Sequence, residues 1–222
     1  IDQSPRPSGG GLPSHLTGRN KPEGIALRFR KEVPLNTPGD VRREYDGLEL
    51  FIAEATEDGW LELYKGRCGS LGDVCEYRAI LYNDDRTQRW SLNLNRFLQQ
   101  DRYVEIQDVR YVDGQLLFNE ACATYASEVQ GQCSWLVSVD PVFQEETWRT
   151  PPMTSNNIFI LHDRSIFAGY GFTAEPDALY RIDARSGEVL ARADLDSAHE
   201  YLEVQNDRLY VVTYRSIYTF AL

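Results

Sequence analysis

Three histidines, His15, His162 and His199, are the side chains best matched to proton transfer near neutral pH. They lie far apart in the chain, and no nucleophile-elbow pattern accompanies them, so a serine triad is not expected. Carboxylates are abundant, and the tightest group is Asp194, Asp196 and Glu200 in DLDSAHE, oxygen donors of the kind a hard cation uses. That stretch lacks the turn glycine and the spacing of a calcium loop, and it reads as a solvated connection. Cys68 and Cys75 enclose GSLGDV, and Cys122 and Cys133 enclose a second polar stretch. Neither spacing matches a zinc knuckle, and no histidine is nearby. Short polar loops favour two local disulfides, Cys68 with Cys75 and Cys122 with Cys133; four half-buried thiols are the alternative. No catalytic, cofactor-binding or metal-binding residue is expected.

Composition sets the surroundings in which these residues work. Disulfides persist in oxidising compartments, so the chain is expected to be extracytoplasmic: secreted, periplasmic or at the cell surface. It begins at Ile1 and holds a single methionine, Met153, as a mature form freed of its targeting segment would. The net charge of -11 repels phosphate backbones and argues against nucleic acid as a partner. No run of about 18 apolar residues occurs, so no membrane-spanning helix is expected. Charge is uneven: residues 1–43 carry eight Lys/Arg against four Asp/Glu, and the remainder 15 against 30. A basic arm beside an acidic body can dock on an acidic surface.

Residues 1–23 are rich in Pro, Gly and Ser and read as a flexible arm. From residue 24 onward, short runs of Leu, Ile, Val, Tyr and Phe alternate with polar residues, the period of strands; the one helical stretch, near residues 93–100, is very short. A turn headed by Asp recurs four times, at Asp58-Gly59, Asp113-Gly114, Asp163-Arg164 and Asp207-Arg208, at intervals of 55, 50 and 44 residues. Asp and Gly both tolerate the left-handed backbone that two-residue hairpins require. Downstream of the first three turns comes a second hairpin headed by Asn83, Asp140 or Asp183, followed by Trp90, Trp148 or Leu190. Each unit therefore reads as four strands, a to d, and the period matches propeller repeats.

The stretch ALYRIDARSGEVL, residues 178–190, resembles the blade signature of quinoprotein-type and BamB-like propellers, with the best match over 179–190. The resemblance implies architecture; no cofactor or activity is carried with it. The expected fold is all-β, a small propeller of about four four-stranded blades at 48–95, 103–151, 156–195 and 200–222, within a domain spanning 24–222. The last blade lacks strand d, and 24–34 (GIALRFRKEVP) is expected to close it as a donated strand. A β-sandwich is the alternative.

These features lead to the expectation of a non-catalytic binding or assembly module, a protein–protein interaction subunit rather than an enzyme. Its contacts, to a protein partner or to copies of itself, would run through the N-terminal arm and the face bearing Cys68, Cys75, Cys122 and Cys133, since both pairs close b-to-c connections. A glycan-binding or glycan-cleaving propeller is the alternative, requiring carboxylates to converge with exposed aromatics. A quinoprotein-like redox enzyme ranks third, because so small a ring leaves little space for a cofactor.

Overall fold

A computed structural model describes residues 14–16, 41–70, 72–172 and 174–222. The first strand is Ser14–Leu16 (β1). Next come Glu44–Tyr45 (β2), Leu48–Thr56 (β3), Gly59–Lys65 (β4), Tyr77–Tyr82 (β5) and Gln88–Asn93 (β6), which form one antiparallel sheet in that order. Val104–Val112 (β7), Gln115–Cys122 (β8), Trp135–Asp140 (β9) and Glu145–Arg149 (β10) form the second. Asn156–His162 (β11), Ser165–Tyr170 (β12), Ala178–Asp183 (β13) and Val189–Asp194 (β14) form the third. His199–Gln205 (β15), Arg208–Thr213 (β16) and Ile217–Ala221 (β17) form the fourth, with β1 added beside β17. The chain is thus all-β, built from four antiparallel up-and-down sheets of the sort propellers repeat, and not from the two sheets of a sandwich. The helical stretch foreseen near residue 93 is a single 3-10 turn, Leu94–Phe97.

The turn chemistry explains the hairpins. Asp113 and Gly114 both take positive φ, 50° and 78°, and Asp163 takes 52°. In the fourth sheet the turn is Asn206-Asp207, at φ 50° and 56°, which corrects the expected Asp207-Arg208 by one residue: Arg208 already pairs with Gln205. The first sheet needs the same correction, since Gly59 already pairs with Thr56 and the turn is Glu57-Asp58, not Asp58-Gly59. A further Asp-Gly turn, Asp46-Gly47, folds β2 onto β3.

Terminal closure is present, but with a different strand. Ser14–Leu16 runs antiparallel to β17, pairing Ser14 with Phe220 and Leu16 with Tyr218. These residues fall inside the stretch 1–23 expected to be an arm. The expected donor, 24–34, lies outside the described residues. The donated strand satisfies the backbone edge that β17 would otherwise expose.

The chain divides into two compact units. One contains, among described residues, 41–124 and 137–148; the other contains 14–16, 125–136 and 149–222. In the first, Leu61 faces Leu81 and Leu63 faces Ala79 across β4 and β5, all fully buried. Two ion pairs tie the first sheet to the second, Lys65 to Glu105 at 3.8 Å and Arg110 to Glu54 at 2.6 Å. In the second unit, Phe167 and Leu179 of the third sheet pack with Leu202, Leu209, Val211 and Phe220 of the fourth. Each such buried side chain contributes about 1.5 to 3 kcal/mol.

The first long strand of every sheet is irregular. Register shifts fall between Leu50 and Ile52, Ile106 and Val109, Asn156 and Ile160, and His199 and Tyr201. Side chains fill the resulting gaps in the ladder. Asn119 Oδ1 accepts from the backbone N–H of Gln107 (3.0 Å) and Asp108 (2.8 Å), and the Asn157 amide donates to the His199 carbonyl at 2.9 Å. Bulges bend a strand and raise its twist, so the first long strand of each sheet is locally bent and twisted.

Candidate functional site: the b–c loop end

Up-and-down topology places the b-to-c and d-to-a connections of a sheet at one end and its a-to-b and c-to-d hairpins at the other. Both cysteine pairs sit on b-to-c connections, between β4 and β5 and between β8 and β9. Cys68 and Cys75 form a disulfide with Cα atoms 4.3 Å apart. Cys122 and Cys133 are also disulfide-bonded, and no cysteine is free, so these two are each other's partners. Two disulfides fit an oxidising environment outside the cytosol. Among the described residues, no helix is long and apolar enough to cross a membrane.

The Cys68–Cys75 loop is pinned beyond its disulfide. Asp73 Oδ2 accepts from the Ser70 N–H at 2.6 Å, and the Tyr103 N–H donates to the Gly72 carbonyl at 2.7 Å, fastening the loop to the d-to-a connection. Closing so short a loop reduces unfolded-state entropy by the equivalent of about 2 to 3 kcal/mol in the chain-entropy model.

In the second unit the corresponding ends of its own sheets carry residues 171–172, 174–177, 195–198 and 214–216, beside the 3-10 turn Ala126–Val129. Asp196 organises it. Its Oδ1 accepts from Thr213 Oγ1 (2.8 Å) and Ser197 Oγ (3.3 Å), its Oδ2 from Ser216 Oγ (2.5 Å), and its N–H donates to Tyr218 Oη at 2.9 Å. Burial pushes this carboxyl up, but the three hydroxyls and Arg215 outweigh burial and hold it below the usual range. Asp177 is shifted the other way, raised by burial and by the Asp196 charge against the opposing pull of Arg215. The Tyr170 hydroxyl donates to Glu175 Oε2, and burial together with that carboxylate raises the phenol. Phe172 meets Tyr125 edge-on at 4.9 Å, and Tyr214 is 67% exposed. The result is a rim of carboxylates and aromatic faces on loops that side-chain hydrogen bonds hold in place, able to accept hydrogen bonds from hydroxyl or cationic groups.

The residues singled out from sequence are dispersed differently. Asp194 pairs with Arg192 at 2.9 Å and Glu200 lies exposed on β15, so only Asp196 of that trio joins the cluster. Among the described residues no group of three metal-ligating side chains converges. His199 is buried, with Nε2 donating to the Ile158 carbonyl at 2.8 Å, while His162 lies at the C-terminal end of β11, 3.7 Å from Asp163 Oδ2. His15 pairs with Thr219 in the closing strand. Trp90 packs edge-on against Tyr111 at 5.4 Å, and Trp135 lies under Arg149 at 5.3 Å. Sequence reasoning missed Asp177 and Glu175, which no motif marks.

No protein-family model matches the chain, and no characterised protein sequence matches it. Among solved structures it is similar to an apocarotenoid oxygenase of Synechocystis, at 13% identity over 79% of this chain and 50% of that one, with a TM-score of 0.40. It is also similar to a quinohemoprotein alcohol dehydrogenase from Pseudomonas putida HK5, at 10% identity over 79% and 38%, with a TM-score of 0.41. The chain spans half or less of the length of these proteins, and likeness at this level transfers no activity.

Proposed function

We propose that this protein is a non-catalytic extracytoplasmic binding module that recognises a protein partner through its b–c loop end. The observation supporting this reading is the bracing of the b-to-c connections within each unit: a disulfide closes the Cys68–Cys75 loop in one, and the Asp196 carboxylate gathers 195–198 and 213–216 in the other. Loops held in one conformation lose little entropy on binding, which raises affinity without added contact area. The experiment is photo-crosslinking in the cells that make the protein, with the reactive residue at Tyr214 on the loop end or at Arg164 on the opposite hairpin end, both exposed. Protein adducts are expected from position 214 and not from 164. Equal yields at both positions, or none at 214, would overturn the reading.

One observation favours a second reading, glycan binding: Glu175, Asp177 and Asp196 share the end with Phe172, Tyr125 and Tyr214. Sugars present hydroxyls to carboxylates and apolar faces to rings. A glycan array separates the two, since saturable binding lost in Asp177→Ala would favour the sugar.

A further inference from the structure

Among the described residues, the most exposed large apolar side chains are Val142 and Phe143, at 71% and 75%. They occupy the tip of the β9–β10 hairpin, where Asp140 Oδ1 accepts from the N–H groups of Val142 (2.8 Å) and Phe143 (3.0 Å). Asp183 makes the same turn in the third sheet, accepting from Arg185 (3.0 Å) and Ser186 (2.8 Å). The matching turn of the first sheet, Asn83 to Thr87, carries Asp84 and Asp85 at its tip. This turn therefore does not require apolar residues, and at such exposure Val142 and Phe143 add nothing to a core. Arg96 donates to Gln144 and steadies the tip, and exposed Glu145 and Glu146 follow it.

The same unit contains a complementary surface. A pocket of about 490 Å³ is lined by Glu49, Leu50, Phe51, Lys65, Arg67 and Cys68, with Gly66 among them. The irregularity between Leu50 and Ile52 falls at Phe51, which is half-buried, and Lys65 Nζ stands 5.0 Å over its ring. The floor is apolar, and exposed Arg67 supplies its basic edge, beside Lys65, which pairs with Glu105, and despite Glu49.

From this match of an apolar knob flanked by acids with an apolar pocket edged by bases, we infer that a second copy of the chain is the occupant: Val142 and Phe143 of one copy seat on Leu50 and Phe51 of the next, with Glu145 and Glu146 facing Lys65 and Arg67. Knob and pocket are different surfaces, so the contact is heterologous and leaves a free knob and a free pocket on every pair, which can extend it. The inference goes beyond the loop-end reading, because crosslinking at Tyr214 does not depend on Phe143. One hairpin tip buries far less than the ~1,600 Å² of a standard interface, so association is weak and concentration-dependent.

Sedimentation velocity on the full chain across a wide concentration range tests this, at low and high salt. The parent is expected to sediment faster as concentration rises, less so in high salt. Phe143→Ser and Arg67→Glu should each abolish that rise while keeping the parental melting temperature. Mixing these two variants should restore a single contact, between the knob of the Arg67→Glu chain and the pocket of the Phe143→Ser chain, where Arg67 is intact, and should stop at dimers. Val142→Ser gives a second knob variant should Phe143→Ser misfold, and the same loss is expected. A parent that stays monomeric throughout, knob variants that associate like the parent, or a mixture that stays monomeric would each overturn the proposal.

Discussion

Replacing Arg86 by Ala should lower the unfolding free energy by about 3 to 5 kcal/mol, the cost of stranding a buried charge. The charge is Glu62, fully buried in the middle of β4. Arg86 Nη2 lies 2.6 Å from Glu62 Oε1, and the Tyr64 hydroxyl donates to Oε2. Arg86 reaches this carboxylate from the β5–β6 turn with positive φ, 66°, its guanidinium 4.5 Å from the Tyr82 ring centre. Without it, among the described residues, the fully buried carboxylate keeps one phenol as a neutral donor. The double variant Glu62→Leu, Arg86→Leu should recover most of the loss, because an apolar pair removes the charge together with its partner. Urea unfolding with linear extrapolation measures both. A single variant within 1 kcal/mol of the parent, a margin small beside the ~3 kcal/mol minimum, would show that water reaches Glu62.

Lowering the pH from 7 to 5 should destabilise the protein through His199, by up to about 1.4 kcal/mol per unit below pH 6.5. Burial holds this imidazole below its ordinary value of 6.5, the Ile158 carbonyl opposing only in part. Because the carbonyl can only accept, Nε2 carries the proton; Nδ1 has no partner among the described residues and lies against Gly169, where even a methyl group would collide with it. The unfolded chain takes up a proton near pH 6.5 and the folded chain does not, so stability falls as pH drops, until the depressed folded value is reached. His199→Gln retains a donor for Ile158 and should flatten the dependence in this window. Asp85, Asp183 and Asp196 are held below 3.8 by their hydrogen bonds, so the stability they contribute is lost only at pH values further down. Parallel unfolding curves for parent and variant at pH 7 and 5 would contradict the buried, neutral histidine.

The all-β class and its four sheets were legible because local chemistry dictates them: alternation gives the strands, and an Asp in each turn, left-handed at Asp113, Asp163 and Asp207, marks the hairpins. Non-local choices were hidden. The closing strand SHL is too short to alternate, and what selects it is the open edge of β17, not its own pattern, whereas 24–34 alternates well and attracted the assignment. Asp46-Gly47 went unread because β2 has only two residues. Nothing in the sequence marks Glu62, Asp108, Asn119 and Glu120 for burial; Arg86, bulged backbone and the Gln99 and Gln100 N–H groups hold them inside. At the loop end, DLDSAHE marked Asp196, but Asp177, Thr213, Ser216 and Tyr218 reach it from segments that only the fold brings together.

The binding reading depends above all on loops stapled outside the cytosol, and non-reducing peptide mapping of the protein from its native source tests that directly. The account predicts two cross-linked peptides, Cys68 with Cys75 and Cys122 with Cys133, and no thiol open to alkylation. Four alkylatable thiols, or a peptide joining Cys68 to Cys133, would contradict both the braced face and the compartment.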